Sequence, residues 1–194
     1  MNHYFSEKPD SELRLTKITK IIRNIEMPFY LASGVFSAKK VDAGAQLLAE
    51  KAIVEDGWDV LDLGCGNGII GVVLAKTFEI NLVMSDINER AVHNAKRNAK
   101  MNKVKAKAVR SDGFAKIEGK FDTILLNPPQ TAGKDVCLKL ISDAKNALKP
   151  KGILQVVARH NKGGKSLNKF MAEIYKDVHV TAKQGGYRIY VANG

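Results

Sequence analysis

The sequence has little cysteine, and its apolar runs are short. Its two cysteines among 194 residues, Cys65 and Cys137, do not have the spacing of metal ligands. A disulfide between them is not expected in a reducing compartment, so we predict two free thiols.

No apolar run approaches the roughly 18 residues of a membrane helix. Residues 1–8 lack the charged and apolar blocks of a signal peptide. We therefore expect a cytoplasmic protein with no metal site and no membrane partner.

Acidic residues are also in deficit. The chain has 20 aspartates and glutamates against 31 lysines and arginines, which gives a net charge of +11 and a pI near 9.6. Such an excess favours a polyanionic partner, because cations placed near phosphates release counterions on binding. A lysine-rich thermophile surface has a similar composition, so charge alone leaves the partner open.

The chain shows no internal repeats and no low-complexity tracts, and its length suits one domain over residues 1–194. From Asp59 onward, short apolar runs alternate with helical patterns. The predicted strands cover residues 60–63, 81–85, 108–110, 123–126 and 153–158. This alternation predicts a parallel sheet with helices on both faces.

The two ends of the chain depart from this alternation. Strands predicted at 178–182 and 187–191 are too close for a crossover, so they form a hairpin and the last strand is antiparallel. Residues 1–40 are predicted to be an accessory β-rich segment, interrupted at Gly34, and residues 41–194 the core. Helices are predicted at 41–51, after an N-cap at Asn88, and at 137–148 before Pro150. The expected fold is a Rossmann-like α/β fold. Its seven-stranded, doubly wound sheet is mostly parallel, with an antiparallel C-terminal strand and a short N-terminal β-rich extension.

A glycine-rich loop follows the first core strand. In Asp62-x-Gly64-x-Gly66-x-Gly68 the glycines allow a ligand to approach the backbone, and a helix opens at Ile69. Residues 66–71 also fit the dinucleotide pattern G-x-G-x-x-G, with Asp86 about 20 residues on. An acid two residues before the first glycine, the lack of a second nucleotide-binding half and the final hairpin all count against a nicotinamide cofactor. They favour S-adenosylmethionine.

A second motif, Asn127-Pro128-Pro129, directly follows the predicted strand 123–126. An amine conjugated to a ring or carbonyl is a poor nucleophile because its lone pair is delocalised. The Asn127 side-chain oxygen and the Pro128 carbonyl can accept hydrogen bonds from the two N–H groups of such an amine and so favour a pyramidal nitrogen. The prolines hold these acceptors in place before the substrate binds. The motif therefore predicts methyl transfer to a planar nitrogen with Asn127 and Pro128 as catalytic residues, although Asn-Pro-Pro alone is also a common turn.

Four motifs in this order resemble the class I S-adenosylmethionine-dependent methyltransferases. They are the glycine loop, Ser85-Asp86-Ile87-Asn88, Ser111-Asp112-Gly113 and Asn127-Pro128-Pro129. The segments 34–37 and 41–48 further resemble the small methyltransferase domain family, which includes ribosomal RNA guanine-N2 methyltransferases.

The resemblance implies the site residues. Asp86 would accept hydrogen bonds from both ribose hydroxyls of the methyl donor. Asp112 would contact the adenine amine of the donor, and Asp62 would face its ammonium group or anchor the loop. The full donor-binding set is Asp62, Gly64, Gly66, Gly68, Asp86, Ile87, Asp112, Gly113 and Asn127. The predicted substrate-binding residues are Phe36, Asn127, Pro128, Pro129 and Gln130.

Gln130 departs from the family pattern, because members that act on bases usually have an aromatic residue here. Base stacking contributes about 1–3 kcal/mol, and glutamine offers only a flat amide. Phe36, Tyr30 and Tyr187 are candidates for the missing ring. Cations expected near the same sheet edge could clamp phosphates or remain solvated: Lys39, Lys40, Arg159, Lys162 and Lys165, with His160 beside them.

The leading hypothesis is an N-methyltransferase for an exocyclic amine, with guanine N2 in ribosomal RNA favoured by the resemblance and the charge. Three alternatives stay open. A protein glutamine amide suits the same two acceptors, a small molecule would make the charge incidental, and a non-catalytic module would bind S-adenosylmethionine and RNA without turnover.

Overall fold

The computed structural model of the protein describes residues 12–129 and 133–194. The strands of this part of the chain are β1 Leu15–Ile22, β2 Ile25–Ala32, β3 Asp59–Leu63, β4 Asn81–Asp86, β5 Lys107–Arg110, β6 Phe121–Leu126, β7 Leu148–Arg159, β8 Val178–Gln184 and β9 Tyr187–Asn193. Its α-helices are α1 Ala43–Lys51, α2 Ile69–Thr77, α3 Glu89–Met101, α4 Lys134–Ala147 and α5 Lys165–Ile174, with a π-helical turn at His160–Gly164.

Seven strands form the main sheet, in the order β5-β4-β3-β6-β7-β9-β8. The five neighbouring strands β5, β4, β3, β6 and β7 run parallel, and β9 is antiparallel to both β7 and β8. The predicted Rossmann-like sheet with its antiparallel last strand is confirmed. The hairpin is tighter than expected, because Gly185 and Gly186 adopt φ of 56° and 81° and close it in two residues.

The main sheet is buried on both faces, which explains its continuous apolar strands. Successive residues of a strand point to opposite faces. Accordingly, Leu125 packs with the cluster formed by α1, α2 and α3, while Ile124 and Leu126 pack with α4 and α5. All three are fully buried. These buried residues at the end of β6 therefore hold the motif that begins at Asn127 rigidly at the carboxyl edge of the sheet.

The N-terminal segment forms a separate two-stranded hairpin, as its β-rich composition predicted. Side chains from α3 form hydrogen bonds with the backbone of β2 along the edge that faces away from β1. Asn98 accepts from the amide of Tyr30 at 2.7 Å and donates to its carbonyl at 2.9 Å. Asn94 donates to the Tyr30 carbonyl at 2.6 Å, and Asn102 donates to the Pro28 carbonyl at 2.8 Å. These asparagines are four residues apart and so share one face of α3.

Two predicted helix bounds need correction. Helix α1 begins at Ala43 rather than at residue 41, because Asp42 is its N-cap and accepts from the amide of Ala45 at 2.9 Å. Helix α4 ends at Ala147, and Leu148 already starts β7. The predicted cap at Asn88 is confirmed, since its side chain accepts from the amides of Arg90 and Ala91.

Candidate active site

The glycine loop lies at the carboxyl end of β3, and its glycines have distinct roles. Gly64, Gly66 and Gly68 all have positive φ, at 71°, 54° and 75°. A Cβ on Gly68 would lie 2.8 Å from the Cβ of Ala95, so this glycine allows the loop to pack against α3. A Cβ on Gly64 would meet no atom within 4 Å. The loop is therefore closely packed at one end and open to a ligand at the other.

One cleft brings together residues from three predicted motifs. It encloses about 430 Å³ of empty space, including its mouth. Its lining includes Phe36 from the N-terminal segment, Gly64 and Gly66 from the loop, and Asn127 from the end of β6. It also includes Cys65, whose pKa is raised by burial and by nearby carboxylates, so its thiol stays protonated. Cys65 and Cys137 are both free thiols, as predicted.

Asp86 ends β4 and holds the glycine loop from the side. Its Oδ2 accepts from the amide of Gly66 at 2.8 Å, and its Oδ1 accepts from the amide of Asn88 at 2.9 Å. Burial raises the pKa of Asp86, while these amides act in the opposite direction. The amide of Ile87 acts in the same direction, so three backbone amides share the roughly four lone pairs of the carboxylate, and room remains for a ribose hydroxyl. Ile87 follows Asp86 in the chain and is partly buried.

Asp62 lies beneath the glycine loop and is only 1% exposed. Its Oδ2 accepts from the amide of Gly71 at 2.9 Å and so ties β3 to α2. Among the described residues, its buried Oδ1 has no hydrogen-bond partner. The pKa of Asp62 rises to about 7, mainly because of burial and to a smaller extent because of the nearby Asp86, while the amide of Gly71 acts in the opposite direction. This is the geometry of a loop anchor, and contact with the donor's ammonium group stays a prediction.

Asp112 and Gly113 follow β5, the strand next to β4. Asp112 is exposed, and Gly113 has φ of 50°. Ser111 stabilises the turn by donating to the carbonyl of Gly113 at 2.9 Å. The turn lies at the same sheet edge as Asp86, and its contact with adenine stays a prediction.

Asn127 is oriented by a residue that sequence reasoning missed. Its Nδ2 donates to Oδ2 of Asp42 at 3.0 Å. The hydroxyl of Tyr187 lies 3.4 Å from the other oxygen of Asp42. Pro128 is buried and Pro129 is partly buried. Gln130 lies outside the described residues. An aspartate just before a helix is a usual N-cap, and that signal was available in the sequence.

The three candidate aromatic rings differ in their surroundings. Phe36 lines the cleft and is 44% exposed. Tyr30 lies on the hairpin, with the Arg97 guanidinium 5.9 Å from its ring centre. The Tyr187 ring has Arg159 at 5.4 Å and is packed against α1, because a Cβ on Gly44 would come within 2.9 Å of it. Of the three, Phe36 offers an open face to the cleft.

The five predicted cations are all exposed: Lys39 and Lys40 precede α1, Arg159 ends β7, and Lys162 and Lys165 follow it. His160 is half-buried, and its Nδ1 lies 2.8 Å from the hydroxyl of Tyr190. Its pKa is lowered by partial burial and then by three nearby cations, Arg188, Lys165 and Lys183. The cations of the β8–β9 hairpin therefore extend the predicted basic cluster.

Within residues 12–129 and 133–194, no helix has the length and apolar character needed to cross a membrane. In the same part of the chain, no three His, Cys, Asp or Glu side chains are grouped as a metal site.

The site fits S-adenosylmethionine on its own geometry. A loop with one open glycine lies beside a carboxylate that keeps room for a further hydrogen bond, and the next strand is followed by an exposed aspartate. Hydroxyl, amine and sulfonium groups of the donor match these acceptors.

Comparisons with known proteins agree with this geometry. The Bacillus subtilis protein YbxB is 38% identical over 98% of this chain and 97% of its own length. The ribosomal RNA small subunit methyltransferase C of Mannheimia succiniciproducens is 41% identical over 69% of this chain and 41% of its own. The T. thermophilus 16S rRNA N2 G1207 methyltransferase, solved with AdoMet and guanosine, has a TM-score of 0.80 and 26% identity, covering 95% of this chain and 52% of that one.

This chain thus spans about half the length, or less, of these two ribosomal RNA methyltransferases. The methyltransferase small domain model matches residues 26–191. The chain belongs to the methyltransferase small domain family, and its predicted class, an S-adenosylmethionine-dependent methyltransferase, is confirmed.

Proposed function

We propose that the protein methylates an exocyclic amine in RNA, with guanine N2 of ribosomal RNA as the acceptor. The observation that carries the proposal is the position of Asn127. It lines the same cleft as the open Gly64, and Asp42 holds its amide nitrogen. The side-chain oxygen is then the atom that remains for a substrate N–H group.

The chemistry follows from this arrangement. The Asn127 oxygen and the Pro128 carbonyl accept hydrogen bonds from the two N–H groups of the amine. This favours a pyramidal nitrogen with its lone pair available. The buried Pro128 and the rigid end of β6 hold both acceptors in place. Catalysis then depends mainly on placing the nitrogen in line with the methyl group. The proton leaves after the nitrogen becomes cationic.

Three features support RNA as the substrate. The exposed ring of Phe36 lines the cleft and suits stacking on a base. The basic cluster around His160 lies beyond the same sheet edge and suits phosphates. Two relatives are named ribosomal RNA methyltransferases, and one was solved with guanosine.

The test is transfer of labelled methyl groups from S-adenosylmethionine. The purified protein is incubated with unmodified small-subunit ribosomal RNA, with small ribosomal subunits and with ribosomal proteins. We expect label in RNA, and far less of it with the Asn127→Ala control. Label confined to protein would favour a glutamine acceptor. Donor binding without any transfer would favour a non-catalytic module.

A further inference from the structure

We infer that Asp42 is a positioning residue that fixes the orientation of the Asn127 amide and so selects substrates that present N–H groups. The inference rests on the proposed function, because it concerns how Asn127 receives an amine. Asp42 lies in segment 41–48, which resembles the small methyltransferase domain family, but the sequence analysis predicted no role for it.

The contact joins three elements at the edge of the cleft. Asp42 caps α1, Asn127 directly follows β6 and Tyr187 begins β9. Oδ2 of Asp42 accepts from Asn127 at 3.0 Å and from the amide of Ala45 at 2.9 Å. Gly44 leaves the room for this arrangement, since a Cβ there would lie 2.9 Å from both Asp42 and Tyr187.

The chemical identity of Asp42 determines which end of the amide faces the substrate. An ionised carboxylate only accepts hydrogen bonds, whereas an amide has one donor end and one acceptor end. In the observed orientation the NH₂ group of Asn127 faces the carboxylate. The reverse orientation would place two acceptors together and would turn an N–H donor toward the substrate amine. Both contacts of the reversed amide are repulsive, so Asp42 excludes it.

Tyr187 holds the carboxylate in turn. Its hydroxyl donates to Oδ1 of Asp42 at 3.4 Å, and Arg159 lies over its ring. Because the 3.4 Å contact is long, this support is weaker than the N-cap bond.

Two substitutions separate positioning from capping. Asp42→Ser keeps an N-cap oxygen for Ala45 but is too short to reach Asn127 as well. Asp42→Asn keeps an oxygen that can serve both partners. Asp56→Asn is the matched control, because Asp56 accepts from the amide of Glu79 at 2.8 Å in the turn before β3, away from the cleft.

The first readout does not depend on a substrate. The side-chain amide of Asn127 is followed by NMR in the free protein. We expect Asp42→Ser to shift this signal and speed its proton exchange, while Asp42→Asn and Asp56→Asn leave it close to that of the unsubstituted protein. An unchanged Asn127 signal in Asp42→Ser would overturn the inference.

The second readout is methyl transfer to RNA. We expect Asp42→Ser to lower kcat by about 10- to 100-fold, with unchanged donor affinity and Tm, because small misplacements of a reacting group are costly. Asp42→Asn should lose less than about fivefold, since a neutral acceptor remains. In an Asn127→Ala background, Asp42→Ser should cost nothing further. If Asp42→Ser lowers kcat as much in the Asn127→Ala background as in the unsubstituted protein, Asp42 does not act through Asn127. A parallel loss of donor affinity would also contradict a positioning role.

If the unsubstituted protein does not methylate RNA, the proposed function fails. The NMR comparison still decides whether Asp42 holds Asn127.

Discussion

Asp86 and Asn127 face the same sheet edge but are held by different partners, which predicts different roles. Asp86 is fixed by the amides of Gly66 and Asn88, whereas Asn127 is fixed by Asp42. We predict that Asp86→Ala weakens S-adenosylmethionine binding by roughly 10-fold or more, because a charge-assisted pair of hydrogen bonds is lost. Asn127→Ala should keep that affinity and lower turnover. Calorimetry with the donor and initial rates measure the two effects, and equal loss of affinity in both variants would refute the division.

Asp62 should make the stability of the donor-free protein depend on pH. Burial raises its pKa to about 7, whereas an unfolded aspartate titrates near its ordinary value. Between those two values the native state binds a proton that the unfolded state does not, so stability falls as pH rises through this range. The decline should be on the order of 2–4 kcal/mol and should end above the native pKa.

Asp62→Asn removes this titration but keeps an acceptor for the amide of Gly71. We therefore expect the free energy of unfolding of the native protein, relative to this variant, to fall as pH rises from about 5 to about 8. Urea unfolding at several pH values measures it. A constant difference between the two proteins would contradict the raised pKa.

At the scale of elements, the asparagines of α3 connect the N-terminal hairpin to the core. Asn98 is fully buried and makes bonds to both the amide and the carbonyl of Tyr30. We predict that Asn98→Ala costs about 2–4 kcal/mol of stability, since it removes these bonds and leaves the amide of Tyr30 without its partner, while Asn94 still donates to the carbonyl. The amide of Tyr30 should also exchange faster with solvent.

Asn193→Ala is the control for this prediction, because Asn193 bonds Asp177 at an exposed position. Its cost should stay below about 1 kcal/mol. Similar costs for the two variants would mean that the hairpin does not depend on the Asn98 contacts.

The strands and the motif positions were predictable for a physical reason. Buried parallel strands require apolar runs, and the carboxyl ends of such strands meet at one sheet edge. The contact between Asp42 and Asn127 joins residues 85 apart, and no local pattern announces it. Likewise, asparagines along a helix suggest a solvated face. Here they are buried, because the open edge of β2 needs hydrogen-bond partners.

At the scale of the whole molecule, the net charge of +11 should act through local clusters rather than as a diffuse field. Lys183 and Arg188 lie close to His160 beyond β7, whereas Lys96 is exposed on α3, which packs near the opposite end of the sheet. We predict that Lys183→Glu weakens RNA binding and lowers the salt slope by about one, because one phosphate contact is lost.

Lys96→Glu makes the same change in net charge and should have a smaller effect. Fluorescence anisotropy of labelled RNA at several salt concentrations measures both variants. Equal effects would show that overall charge, and not the cluster near His160, drives binding.

The central claim is that the amine held by Asn127 belongs to guanine in RNA. The most direct measurement is mass spectrometry of nucleosides from unmodified small-subunit ribosomal RNA, after reaction with the protein and deuterated S-adenosylmethionine. The account predicts deuterated N2-methylguanosine with the unsubstituted protein and far less of it with Asn127→Ala. A deuterated methyl group on a ring nitrogen, a carbon atom or a ribose oxygen would contradict it.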